Sequence, residues 1–156
     1  MFGGGAALVR LFPDVITSAY AQAQRAAAPA DQLAAMRKQM AGTPIEVTKL
    51  TDTLTLLAGP GGNVVVLNGA DGKVFVDTFV QGAFAPLKQR LDAIGNARIA
   101  QVINTHWHFD HTDNNESFQK LKATIVGHAN TRKRLYETHD LLGMHFTPVA
   151  EAAMPT

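Results

Sequence analysis

Three of the chain's six histidines and one carboxylate fall within the run Thr105-His106-Trp107-His108-Phe109-Asp110-His111. No other stretch constrains the chain as tightly. Every one of those four polar side chains is able to ligate a transition metal. His106, His108 and Asp110 are spaced two apart, so in extended backbone their side chains leave on one side. His111 breaks the alternation, which allows one short segment to serve two adjacent metal positions. Imidazole with carboxylate favours zinc, with iron or manganese as further options. Catalytic zinc generally keeps three protein ligands and one open position. A bound ion lowers the pKa of its water to about 7, and a second ion about 3.5–4 Å away orients the nucleophile or stabilises the leaving group. Such chemistry suits hydrolysis of esters, thioesters, lactones, amides or phosphodiesters.

The flanks place the run on a rigid connection. Gln101-Val102-Ile103-Asn104 reads as the end of a buried strand, and Asp113-Asn114-Asn115-Glu116 as a helix start with an Asp…Glu capping box. Trp107 and Phe109 alternate with the ligands and are expected to pack beneath the loop. Around this centre the chain alternates strands and helices. A short helix is expected over 31–40, strands over 45–50 and 53–57, then the glycine-rich turn Gly59-Pro60-Gly61-Gly62. That turn lacks the Lys-Ser/Thr of a phosphate-binding loop and reads as a plain connection. Strands 63–68 and 73–77 follow, joined by Asp71-Gly72. Next come a helix at 84–94, a strand at 99–104, a helix at 114–122, a strand at 124–127 and a helix at 130–139. Residues 1–30 read as an N-terminal extension or a degraded export signal, with Ala19-Tyr20-Ala21 like a cleavage site before Gln22. The domain proper is expected at 31–142, and 143–156 as a loose tail.

The His106–His111 run resembles the metal-binding motif of the metallo-β-lactamase-fold hydrolase superfamily. The resemblance extends over about residues 45–140: the strand Gly62–Leu67, the strand Lys73–Val76 ending in Asp77-Thr78, and the strand Thr124–Gly127 followed by His128. It implies an α/β fold with a mixed sheet, one αβ half of a four-layer αβ/βα sandwich. It also implies His106 and His108 at a first metal, Asp110 and His111 at a second, and Asp110 orienting the attacking water. Two zinc ions are the implied cofactors. Asp77 is expected either to orient a metal-bound histidine or to cap a strand end, and His128 either to stand behind the site or to bond local backbone at a helix start. The superfamily's second half supplies further ligands. His139 and His145 lack the neighbours those ligands carry and read as surface or packing histidines. The expectation is therefore a metal-dependent hydrolase acting on a small molecule, whose sites need a C-terminal half or a partner chain. Two alternatives stand beside it: an iron dioxygenase or flavodiiron oxidoreductase on the same fold, and an inactive or partner-dependent metal-binding subunit.

Composition narrows the field. A net charge of +1 disfavours nucleic acid or an acidic membrane as a partner. Arg132-Lys133-Arg134 reads as the wet face of a helix. Zero cysteines exclude disulfides and thiolate zinc sites. No apolar run approaches the ~20 residues of a membrane span. The export pattern points to a periplasmic or secreted protein, and without it to a cytoplasmic one.

Overall fold

The computed structural model describes residues 29–156. Nearly all of the expected N-terminal extension thus lies outside the described residues. Among the described residues, eight strands and five α-helices follow in the order α1 (Pro29–Ala41), β1 (Glu46–Lys49), β2 (Leu54–Gly59), β3 (Gly62–Gly69), β4 (Gly72–Val76), α2 (Phe84–Asp92), β5 (Ile99–Asn104), α3 (Phe109–Thr112), α4 (Asn115–Lys120), β6 (Thr124–Gly127), α5 (Ala129–Tyr136), β7 (His139–Leu141) and β8 (Met144–Phe146). A 3-10 turn at Glu151–Ala153 comes last.

β1 to β6 form one sheet in chain order. The first four strands are an antiparallel meander, because short turns join them. β4–β5 and β5–β6 pair in parallel, since helices lie between them in the chain. Parallel β4 and β5 therefore end side by side, and the connections that leave them meet at one edge of the sheet. The alternation of the strands sends Val64, Val66, Phe75, Val102 and Ile125 to the helix-covered face, where none is more than 2% exposed. Phe118 of α4 packs edge-on against Phe75 (4.8 Å between centroids) and Phe84 (5.2 Å). Burying a phenylalanine of this kind contributes about 1.5–3 kcal/mol.

The opposite face carries a row of aliphatic residues in register across five strands: Leu56, Val65, Val76, Ile103 and Val126. Leu67 and Ile103 on this face are 46% and 37% exposed. A sheet with two apolar faces is expected where both faces are covered.

Some expected boundaries shift. α5 stops at Tyr136, and His139 opens β7 instead of ending a helix. The segment past Leu142, expected to be loose, is docked. Met144 to Phe146 pair with β7, Thr156 donates twice to the carbonyl of Ile125, and Met154 is 3% exposed. A polar network of Arg132, Tyr136 and Glu151 holds it from outside. The reason is tertiary: these residues are short of local periodicity but cover the ends of α4, α5 and β6. Among the described residues no helix is long and apolar enough to cross a membrane.

Candidate metal centre

β5 delivers the histidine run at its C-terminal end. The backbone does not stay extended there. His106 and His108 lie in the connection, and Phe109–Thr112 then turn into α3. Asp110 and His111 are thus neighbours on a helical turn, and the period-two alternation expected of His106, His108 and Asp110 ends at His108. The side chains still converge. The ring of His106 lies 4.5 Å from that of His108 and 4.1 Å from that of His111, centroid to centroid. Nε2 of His111 is 3.3 Å from Oδ2 of Asp110.

Asp77, at the end of β4, organises this cluster. Its Oδ1 accepts from the amide of Thr105 at 2.9 Å, and its Oδ2 from the Thr105 hydroxyl at 2.7 Å and from Nδ1 of His111 at 2.8 Å. The Thr105 hydroxyl, its hydrogen committed to Asp77, is left to accept from Nδ1 of His106 at 3.0 Å. One carboxylate therefore engages Nδ1 of His111 directly and that of His106 through Thr105, and leaves the Nε2 atom of each outside this network. Asp77 has a φ of +66°, a left-handed conformation that Asp visits more readily than bulkier residues. It both closes the strand end and orients histidine, so the two expectations for it are not exclusive.

Electrostatics follow from these contacts. Burial alone would lower the His111 pKa, but the bonds to Asp110 and Asp77 outweigh it and raise the value to about 9. Burial works against the Asp110 carboxylate too, yet its bond to His111 holds its pKa below the usual range. His106 is pushed down by burial and then by its neighbours His111 and His108.

Several supporting residues carry no signal of their own in the sequence. The carbonyl of His111 accepts from the amide of Thr78, the hydroxyl of Thr78 and the side-chain amide of Asn104, each at 3.1 Å. Asn104 and Asn115 exchange side-chain hydrogen bonds at 2.8 and 3.1 Å. Asn114 donates to the carbonyls of Thr78 and Val80. These buried amides lock the loop after β4 to the start of α4. An asparagine flanking a strand or helix was the one available hint.

Other expected roles change. Asp113 makes no helix cap; α4 begins from Asn114 without a side-chain cap bond. Asp113 instead takes both guanidinium donors of Arg37 at 2.7 Å and the amide of Gln81 at 2.9 Å. A long-range ion pair is stronger here than a local cap, because the group is largely buried. His128 bonds local backbone as one of its two expectations had it: its Nδ1 accepts from the amide of Asn130 at 3.1 Å, which makes it the N-cap of α5. His145 pairs with Asp140, and His139 stacks on Phe146 and meets the edge of Trp107. Trp107 and Phe109 pack against Phe146, and the Trp107 ring also meets that of His108 edge-on at 4.6 Å.

Among the described residues no three His, Asp or Glu side chains already form a cage for a metal ion. Asp110 and His111 are turned toward each other. The donor types are nevertheless those that a divalent ion takes. Three imidazoles and a carboxylate converge, and a metal-binding histidine commonly gives its other ring N–H to a carboxylate, as His111 does to Asp77.

The family model of the metallo-beta-lactamase superfamily matches residues 57–147. Solved structures resemble the chain as well. The metallo-beta-lactamase SMB-1 bound to 2-mercaptoethanesulfonate is 19% identical, with a TM-score of 0.58, over 71% of this chain and 47% of that one. For the subclass B3 metallo-beta-lactamase MEM-A1, isolated from a soil metagenome library, the values are 21%, 0.59, 70% and 46%. For BJP-1, a subclass B3 metallo-beta-lactamase of Bradyrhizobium japonicum, they are 22%, 0.56, 72% and 46%. At these identities the likeness concerns the fold. The chain spans about half the length of the solved structures it matches. No curated protein matches it.

Proposed function

The chain belongs to the metallo-beta-lactamase superfamily, and on that premise we propose that it is the metal-binding half of a hydrolase. His106 and His108 hold one ion, and Asp110 and His111 a second. When bound, a divalent ion such as zinc supplies a nucleophile at neutral pH and Lewis acidity toward a carbonyl oxygen. The rest belongs to the chain. Asp77 keeps Nδ1 of His111 engaged and, through Thr105, that of His106, so that both present Nε2. Asp110 orients the attacking water through its carboxylate. The substrate is a small molecule with an ester, thioester, lactone or lactam carbonyl. The fold neighbours, being metallo-beta-lactamases, support the lactam option.

The ligand set is short for two ions, since four side chains do not fill two tetrahedral sites. The missing ligands come from a further half or a partner chain seated on the exposed face of the sheet. The in-register row Leu56, Val65, Val76, Ile103 and Val126 supports that seat. Sheets pack face to face through such rows, about 10 Å apart. The Ala19-Tyr20-Ala21 pattern supports export of the protein.

The convergence of His106, His108, Asp110 and His111 beside Asp77 carries this reading. Zinc titration of wild type and His106→Ala, with metal content by elemental analysis, tests it. Wild type should retain zinc and the variant should bind at least tenfold more weakly. Equal metal in both would sink the proposal.

A further inference from the structure

The turn between β2 and β3 reads in sequence as a plain connection, yet it lies against the metal centre. Gly61 and Gly62 have φ of +97° and +155°, and the amide of Val80 donates to the carbonyl of Pro60 at 3.3 Å, which ties the turn to the loop after β4. A Cβ placed on Gly61 would stand 2.6 Å from Cβ of Asp110 and 3.1 Å from Cγ1 of Val80. The equivalent atom on Gly62 would meet only the ring of His111, Cε1 at 3.6 Å and Nε2 at 3.9 Å, both ordinary contacts. The tight contact is therefore specific to Gly61. Asp110 rests on the bare α-carbon of Gly61, with Oδ2 toward His111.

We infer that Gly61 is a positioning residue for Asp110: the absence of a side chain at this one position lets the carboxylate sit where the metal centre requires it. The inference rests on the reading of Asp110 as a metal ligand. A methyl group at Gly61 forces Cβ of Asp110 back from 2.6 Å to at least the 3.0 Å that real contacts respect. That is a shift of at least about 0.4 Å, twice the ~0.2 Å within which metal–ligand distances hold. The backbone strain of alanine at positive φ comes in addition, so the test needs a control with the same strain elsewhere. Gly72 serves. Its φ is +130°, it begins β4 at the far end of the strand from Asp77, and a Cβ there would meet Cβ of Ala100 at 3.1 Å.

The experiment is a Co(II) titration of the full chain, read by visible absorption, for wild type, Gly61→Ala and Gly72→Ala, with thermal melts alongside. Both variants should melt below wild type. Gly61→Ala should bind Co(II) at least tenfold more weakly with a changed ligand-field spectrum, whereas Gly72→Ala should keep wild-type affinity and spectrum. Equal affinity in Gly61→Ala and wild type, or an equal loss in both variants, overturns the inference. A wild type that binds no Co(II) overturns the metal reading instead, and the contact is then judged without metal. A nuclear Overhauser effect between Hα of Gly61 and Hβ of Asp110, together with Asp110 and His111 resonances displaced in Gly61→Ala but not in Gly72→Ala, is expected. Its absence overturns the positioning role by itself.

Discussion

Strand β4 is flanked by two buried ionisable groups treated in opposite ways. Lys73, near its start, is 0% exposed, and among the described residues its Nζ has no hydrogen-bond partner. Burial lowers its pKa below the usual 10.5; attraction to Asp92 partly offsets this and repulsion from Lys88 adds to it. Asp77, just past the end of the strand, is 4% exposed and accepts three hydrogen bonds. A buried charge with full partners and one with none differ by several kcal/mol in principle. The contrast separates the two ends of the sheet. Where β4 and β5 end side by side, loops converge and supply donors. At the far end the lysine contributes an aliphatic stem under α2, and its ammonium is tolerated there.

Replacing the two groups should break this symmetry of burial with opposite signs. Asp77→Asn keeps a residue that tolerates positive φ but removes the charge. It should lower unfolding free energy by about 2–3 kcal/mol, since hydrogen bonds to charged groups are each worth about 1.5–3 kcal/mol. It should also weaken zinc binding by about 10–100-fold, as loss of a group that orients a ligand does. Chemical denaturation and a zinc titration check both, and unchanged stability would show Asp77 to be no better accommodated than Lys73. Lys73→Met is the converse. A near-isosteric apolar side chain should raise stability by about 1 kcal/mol, or about 2–4 °C in Tm for a chain of this size. A drop in Tm would mean that Nζ has found a partner in solution.

The comparison extends to pH dependence. With His111 raised to about 9 from its usual 6.5, the metal-free folded chain holds a proton that the unfolded chain releases first. Its contribution is fully present below pH 6.5 and is lost as pH rises through about 9. Lys73 acts in the reverse sense: its lowered pKa makes the unfolded chain bind more protons, so stability rises as pH climbs toward 10.5. Denaturation curves at pH 6, 8 and 10 should therefore show a smaller downward component in Asp77→Asn, where Asp110 still raises His111, and lose their upward component in Lys73→Met. Parallel curves in all three proteins would remove the electrostatic part of the comparison.

Local patterns read well where one face of an element decides its residues. The strands β2 to β5 followed from apolar runs and glycine turns, with ends shifted by a residue or two in β2 to β4. The His106–His111 run stood out for a different reason: its residue types at that spacing suit ligation. The same reading failed where a partner distant in sequence competed with a local one. Asp113 resembles a cap and is taken by Arg37, and Gly61 resembles any turn glycine until Asp110 is placed against it. His128 went the other way, since a local amide is all it needs.

By itself, then, the sequence determined the order of β1 to β6 with the helices α1, α2, α4 and α5, the superfamily resemblance and the four candidate ligands, because these depend on periodicity and donor chemistry within a few residues. Only the tertiary structure decided that Asp77 and Thr105 orient two of those histidines, that Asn104, Asn114 and Asn115 lock the loops beneath them, and that Gly61 supports Asp110. Those contacts join residues about 30 or more positions apart, or depend on burial that no local pattern encodes. They exist because parallel pairing brings the ends of β4 and β5 together.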